Sequence, residues 1–130
     1  PTVAPIDRLR AFFEFMYQKQ RQLQQETGCV LGCPFASIGT ELVAKSGDDG
    51  GLRDAIQTLI RGKMRYIESA IGDAMTRGLI PRGDAAALAQ TVYLYCEGAM
   101  AQARIRNDLW LLKPVEENAL RLIGFQPTAV

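Results

Sequence analysis

The stretch Asp84–Asn107, DAAALAQTVYLYCEGAMAQARIRN, constrains this chain more than any other. It reads as one helix of about six turns at 3.6 residues per turn. Plotted at about 100° per residue, its apolar residues form two stripes. One carries Ala85, Leu88, Val92, Tyr95, Ala99 and Ala103. The other carries Ala87, Thr91, Leu94, Gly98, Ala101 and Ile105, and only a narrow strip through Gln90, Glu97 and Arg104 is polar. An amphipathic surface helix needs one apolar stripe, so a helix with two has to be covered on two sides. In a chain of 130 residues, one of those covers is expected to be a second copy of the chain. Gly98 and Ala101 are small enough to let another helix come close.

The flanking segments carry helical patterns of their own. A first helix is expected over Ile6–Gln25, with Leu9, Phe12, Phe13, Met16 and Leu23 on one side, Tyr17 at its edge and Phe15 off the stripe. Its later half, QKQRQLQQE, is polar and rich in helix formers, so that end is expected to project into solvent. Gly28 suits a left-handed helix end, and Pro34 suits the first turn of a second helix over Pro34–Ala44. Phe35, Ile38 and Leu42 share a face there. SGDDGG reads as a loop in which Asp49 caps a third helix over Leu52–Arg77. That helix has the longest apolar register, from Leu52 through Ile56, Leu59, Ile60, Met64, Ile67 and Ile71 to Ala74. Gly78 and Pro81 stop it, and Asp84 starts the two-striped helix. After DLWLL, a last helix over Pro114–Ile123 presents Val115, Ala119, Leu122 and Ile123. No segment alternates as a strand does, so the expected fold is all-α with five helices in one domain.

Composition excludes several functions. With 48% hydrophobic residues the chain can build a core, and with fifteen basic residues scattered at a net charge of +1 it has no nucleic-acid footprint of its own. No apolar run reaches the length of a membrane span. The chain has no histidine, which removes Ser-His-Asp and Cys-His nucleophile systems, the commonest zinc ligand and the ordinary general base. No catalytic residue, metal site or cofactor is therefore expected. Three cysteines make no disulfide pattern and suit a reducing, cytoplasmic setting. Cys29 and Cys33 are too few for a closed zinc site and read as packed thiols, with a reversible thiol sensor as the other reading. Glu41 and Glu97 stand out because each lies in an otherwise apolar helix. The plain reading is an exposed or salt-bridged glutamate, since a buried carboxylate needs a partner or an altered pKa. The aromatic set includes Phe12, Phe13, Phe15, Tyr17, Phe35, Tyr66, Tyr93 and Tyr95, the kind of side chain that lines ligand cavities in helical bundles.

The order of these segments resembles the C-terminal regulatory domain of TetR-type transcriptional repressors. The resemblance runs through GCVLGCPFASIGTEL, the long third helix, and MTRGLIPRGDAAALAQTVYLYCEGAMAQARIRND, and so covers nearly the whole chain. Gly28, Cys29 and Glu41 match the opening of the middle helix in that family. Gly78, Ala89, Gly98, Ala99, Ala103, Arg104 and Asp108 match its penultimate helix.

The resemblance implies an effector-sensing and dimerisation domain. An N-terminal helix-turn-helix domain of about fifty residues would bind operator DNA as a dimer. That part is absent here, and the start at Pro1 rather than Met fits a fragment or a trimmed chain. The implied effector is a small apolar or amphipathic molecule, and the last two helices would form a four-helix interface in a homodimer. On this basis Phe13, Tyr17, Phe35, Met64, Ile67, Tyr93 and Cys96 are expected to line the effector cavity. Leu94, Gly98, Ala101, Ile105, Val115, Ala119 and Leu122 are expected at the dimer contact. Two rivals are a stand-alone helical binding or interaction module with no DNA-binding role, and a small enzyme using an acidic residue or a cysteine.

Overall fold

The computed structural model describes residues 3–44 and 50–127, except the side chains of residues 40 and 42–44. Among the described residues it contains five α-helices and one short 3₁₀ helix, and no strand. Helix α1 spans Pro5–Thr27, α2 Pro34–Ala44, α3 Leu52–Thr76, α4 Ala85–Arg106 and α5 Val115–Leu122, with the 3₁₀ helix at Leu109–Leu112. The expected cap at Asp49 and the expected inward side chain of Leu42 lie outside the described residues.

Each boundary has a local cause. Pro5 occupies the first turn of α1, where its missing N–H breaks no bond. Gly28 ends α1 at φ 79°, its N–H donating to Gln24 O. Gly78 turns the chain at φ 72° beyond α3, and the next N–H, from Leu79, donates back to Ala74 O at 2.9 Å. The Asp84 carboxylate accepts from the Ala87 N–H at 3.1 Å and caps α4. Asn107 ends α4 with φ 50°, a conformation that asparagine tolerates better than most residues. Its side chain then ties down the loop after α1. The Val30 N–H donates to Asn107 Oδ1 at 2.8 Å, and Asn107 Nδ2 donates to Gly28 O at 3.0 Å.

Helix α3 is the hub, packing against α1, α2 and α4. Ile67, Ala70, Ile71 and Ala74 on α3 are fully buried. They meet Ala89, Val92, Cys96 and Ala103 of α4 and Leu9 and Phe13 of α1 in one core. The alanines let the helix axes approach, and the branched residues fill the space between them. Helix α5 and the 3₁₀ helix close the far end, held by Leu112, Val115, Ala119, Leu120 and Ile123.

The polar end of α1 does not simply project into solvent. Gln20 is 5% exposed, and Arg8 near the start of the same helix is 8% exposed. Arg8 is paired with Asp73 of α3. Tertiary contacts override the polar composition at both positions. No described helix is long and apolar enough to cross a membrane.

A cavity on one flank of helix α4 and an uncovered stripe on its back

Helix α4 faces three environments. Ala89, Val92, Cys96, Met100 and Ala103 point into the core. Leu94, Gly98, Ala101 and Ile105 recur at helical spacing on the opposite side, and all are exposed. Leu94 is 60% exposed and Ile105 74%. Leu122 of α5, 45% exposed, lies beside Tyr95 at the edge of α4. The hydroxyl of Tyr95 accepts from Asn118 Nδ2 at 3.0 Å, which locks α5 to the edge of α4. Val115 and Ala119 lie elsewhere, each 1% exposed inside the chain's own core. They cannot reach a second copy from there without unfolding α5. The spacing that puts them beside Leu122 on a helical wheel is real, but the inward side of that short helix is the one they occupy.

Between the core face and the bare stripe, α4 borders a cavity of ≈ 200 Å³. Tyr93, Cys96, Glu97 and Met100 form the α4 wall. Phe12, Phe15, Met16, Lys19 and Gln20 form the α1 wall, again at helical spacing. Gly32, Cys33 and Pro34 close one end and Lys63 of α3 another. Phe12 is fixed as a wall by its neighbours, edge-on to Phe13 at 5.5 Å and stacked with Tyr66 at 6.1 Å. Gln20 fixes the loop. Its Nε2 donates to Gly32 O at 3.0 Å, and its Oε1 accepts from the Gly32 N–H at 2.9 Å. Gly32 itself turns at φ 72°, where a side chain would be strained.

The site is apolar, with its charges sparsely placed. Burial pushes the Cys96 thiol up to about 12, with the negative charge of Glu97 adding to it. Burial, then Glu97, raises the Tyr93 phenol too. Cys33 is raised by burial against the opposing pull of the Ala36 backbone N–H. These groups are neutral at pH 7, so neither buried thiol offers the thiolate that nucleophilic or redox chemistry needs. Cys29 is free and exposed. Glu41 is exposed, as the plain reading of its sequence position has it. Glu97 differs: it is half-buried, and its Oε2 is shut off from solvent with no hydrogen-bond partner among the described residues. Among those residues, no group of three or more potential metal ligands comes together.

Of the seven residues expected around an effector, Tyr93 and Cys96 line this cavity. Phe35 stands beside it, its ring under the Lys63 ammonium at 4.8 Å. Phe13 lies in the core behind Phe12, and Ile67 is wholly buried in α3. Met64 is partly buried against the same core. Tyr17 faces a separate, polar groove with Arg21, Asp108 and Trp110, its ring 4.8 Å from the Lys113 ammonium. The other lining residues, Phe12, Phe15, Met16, Lys19, Gln20, Gly32, Cys33, Pro34, Lys63, Glu97 and Met100, were not among those expected. Among them, the aromatic rings of Phe12 and Phe15, the thiol of Cys33 and the isolated carboxylate of Glu97 were signals visible in the sequence.

Residues 5–115 match the sequence model of the tetracyclin repressor-like C-terminal domain. No curated protein and no solved structure gives a significant match.

Proposed function

The chain belongs to the tetracyclin repressor-like C-terminal domain family, and from that premise we propose that it is the effector-sensing and dimerisation part of a transcriptional repressor. Proteins of that family are regulators, not enzymes. In this reading, two copies pair through the bare stripe of α4 with Leu122 of α5, and a small apolar or amphipathic molecule enters the cavity beside Tyr93 and Cys96. An N-terminal helix-turn-helix on the same polypeptide would carry the operator contacts. Three free cysteines suit work in the cytoplasm. Binding would favour one spacing of the two DNA-binding heads over another, a population shift. A coupling of about 1–3 kcal/mol changes operator affinity by about 5–150-fold.

One observation carries this reading. Glu97 borders the cavity while Gly98, the next residue on the same helix, lies on the exposed stripe. A ligand that shifts α4 therefore acts directly on the surface that would pair. Helix α1 forms the other wall and runs back towards the N-terminus, where the heads would attach. Sedimentation equilibrium and native mass spectrometry of the purified chain test both halves. The expected result is a dimer at low micromolar concentration that takes up a small apolar molecule. A monomer that persists at about 100 μM and binds no such molecule would overturn it.

A further inference from the structure

We propose, resting on the reading of this cavity as the effector site, that its ligand is a small apolar amine whose protonated nitrogen binds Glu97. The cavity, ≈ 200 Å³, is below the range of pockets for drug-sized ligands, roughly 300–1,000 Å³. It suits a body of about one ring with a short chain.

Glu97 lines this cavity, and one of its carboxylate oxygens, Oε2, is buried and without a hydrogen-bond partner among the described residues. A charged acceptor left unsatisfied in an apolar setting is costly, and the cost is removed when a donor arrives. The Tyr93 hydroxyl interacts with the Glu97 carboxylate, and among the described residues no group donates to Oε2 itself. Both polar atoms of the Gln20 side chain are engaged by Gly32. The Lys63 ammonium stands over the Phe35 ring at 4.8 Å and makes no ion pair with Glu97 among the described residues. Thiols such as Cys33 and Cys96 are weak donors.

The remaining wall suits a cation attached to an apolar body. Phe12, Phe15 and Tyr93 present aromatic rings, and Met16 and Met100 present polarisable thioethers. A carboxylate ligand would place a second negative charge beside Glu97 in a poorly screened space. A hydrocarbon would fill the volume and leave Oε2 bare. An alcohol would supply a hydrogen bond to the carboxylate but not the opposite charge that an ammonium adds to it. The opposing influence is Lys63 with Lys19 near the opening, which would favour an anion if the lysines, not Glu97, govern the site.

Three probes of similar shape separate these cases: 2-phenylethylamine, 2-phenylethanol and 3-phenylpropionate, titrated calorimetrically at neutral pH into the intact chain. The amine is expected to bind about tenfold or more tightly than either other probe. Glu97→Gln removes that advantage and leaves alcohol binding within about threefold, which also shows that the variant is folded. Lys63→Met moves the other way, strengthening the amine and weakening the carboxylate. An amine no tighter than the alcohol, a preference that survives Glu97→Gln, or a carboxylate that binds tightest would overturn the amine assignment while leaving the cavity as an effector site. Failure of all three probes to bind the wild-type chain at millimolar concentration would overturn both.

Discussion

Replacing Gly98 with leucine pulls the fold and the association in opposite directions. Gly98 lies mid-way along α4, exposed, and a Cβ built there meets nothing within 4 Å. Within one copy, then, leucine has room, and the helix gains what glycine withheld, about 0.8 kcal/mol. For a domain of this size that raises the monomer's melting temperature by about 3–5 °C. Between two copies the outcome reverses. If α4 crosses its symmetry mate at Gly98 and Ala101, each leucine must be fitted into a close contact, at a cost of about 1–3 kcal/mol. A two-fold interface contains the substitution twice, so the dimer loses about 2–6 kcal/mol. At about 1.4 kcal/mol per decade, the dimer Kd rises by at least about thirtyfold.

Sedimentation equilibrium across a wide concentration range reads the Kd. Thermal unfolding at the lowest usable concentration reads the monomer, because an associating protein's melting temperature depends on concentration. A Kd within about threefold of wild type would refute the placement of Gly98 at the contact. So would a tighter dimer, because leucine on a loose, uncrowded surface only adds apolar area.

Three further outcomes follow from the monomer's own contacts. Asp73→Ala strands the buried Arg8 guanidinium, whose Nε already lacks a partner among the described residues; because the Asp73 carboxylate is 41% exposed, the loss in urea unfolding should be about 2 kcal/mol, below that of a fully buried pair. Gln20→Ala deprives the Gly32 N–H and C=O together and should cost about 2 kcal/mol; a loss under about 0.5 kcal/mol would mean that the loop holds itself. Burial holds the Cys96 thiol's titration up at about 12, well above that of a free thiol, so this contribution is intact below about pH 9 and lost as pH rises towards 12. Stability should therefore fall between about pH 9 and pH 12, less steeply in Cys96→Ala, and iodoacetamide at about pH 8 should label Cys29 alone on intact-mass spectra.

The helices were legible because their signals are local. Pro34, Asp84, Gly28 and Gly78 each act within a turn of the boundary they set, and α2 begins and ends where its sequence pattern does. The 3₁₀ helix at Leu109–Leu112 was not foreseen. DLWLL is too short for a period to show, and its form depends on Asp108 accepting from the Trp110 N–H. The cavity was legible only in part because it lies between helices far apart in sequence. Periodicity marks Phe13 and Ile67 as inward but cannot separate packing against α3 from lining a gap beside it. Gln20 looked like a solvated residue because its partner, the Gly32 peptide, is not a side chain and leaves no compositional trace. Val115 and Ala119 show the same limit on α5. An apolar stripe identifies a buried side, and which body buries it is a tertiary fact.

Helix α4 carries almost equal apolar character around its circumference, and the structure divides it among unlike tasks. Its core face is held by small and branched residues against α3, which leaves it little freedom to bend. A stiff helix passes a displacement at Tyr93 and Glu97 directly to Leu94 and Gly98, since each pair shares the same peptide backbone. If two copies pair through the stripe, linkage sets a constraint on any effector. If occupancy of the cavity favours one packing of the exposed stripe, pairing must alter effector affinity by the same factor. An effector with equal affinity for both packings would shift nothing, however tightly it bound. Discrimination must therefore come from a contact that depends on where α4 lies, and Glu97, rooted in α4 and facing a cavity whose opposite wall is α1, is placed to make one.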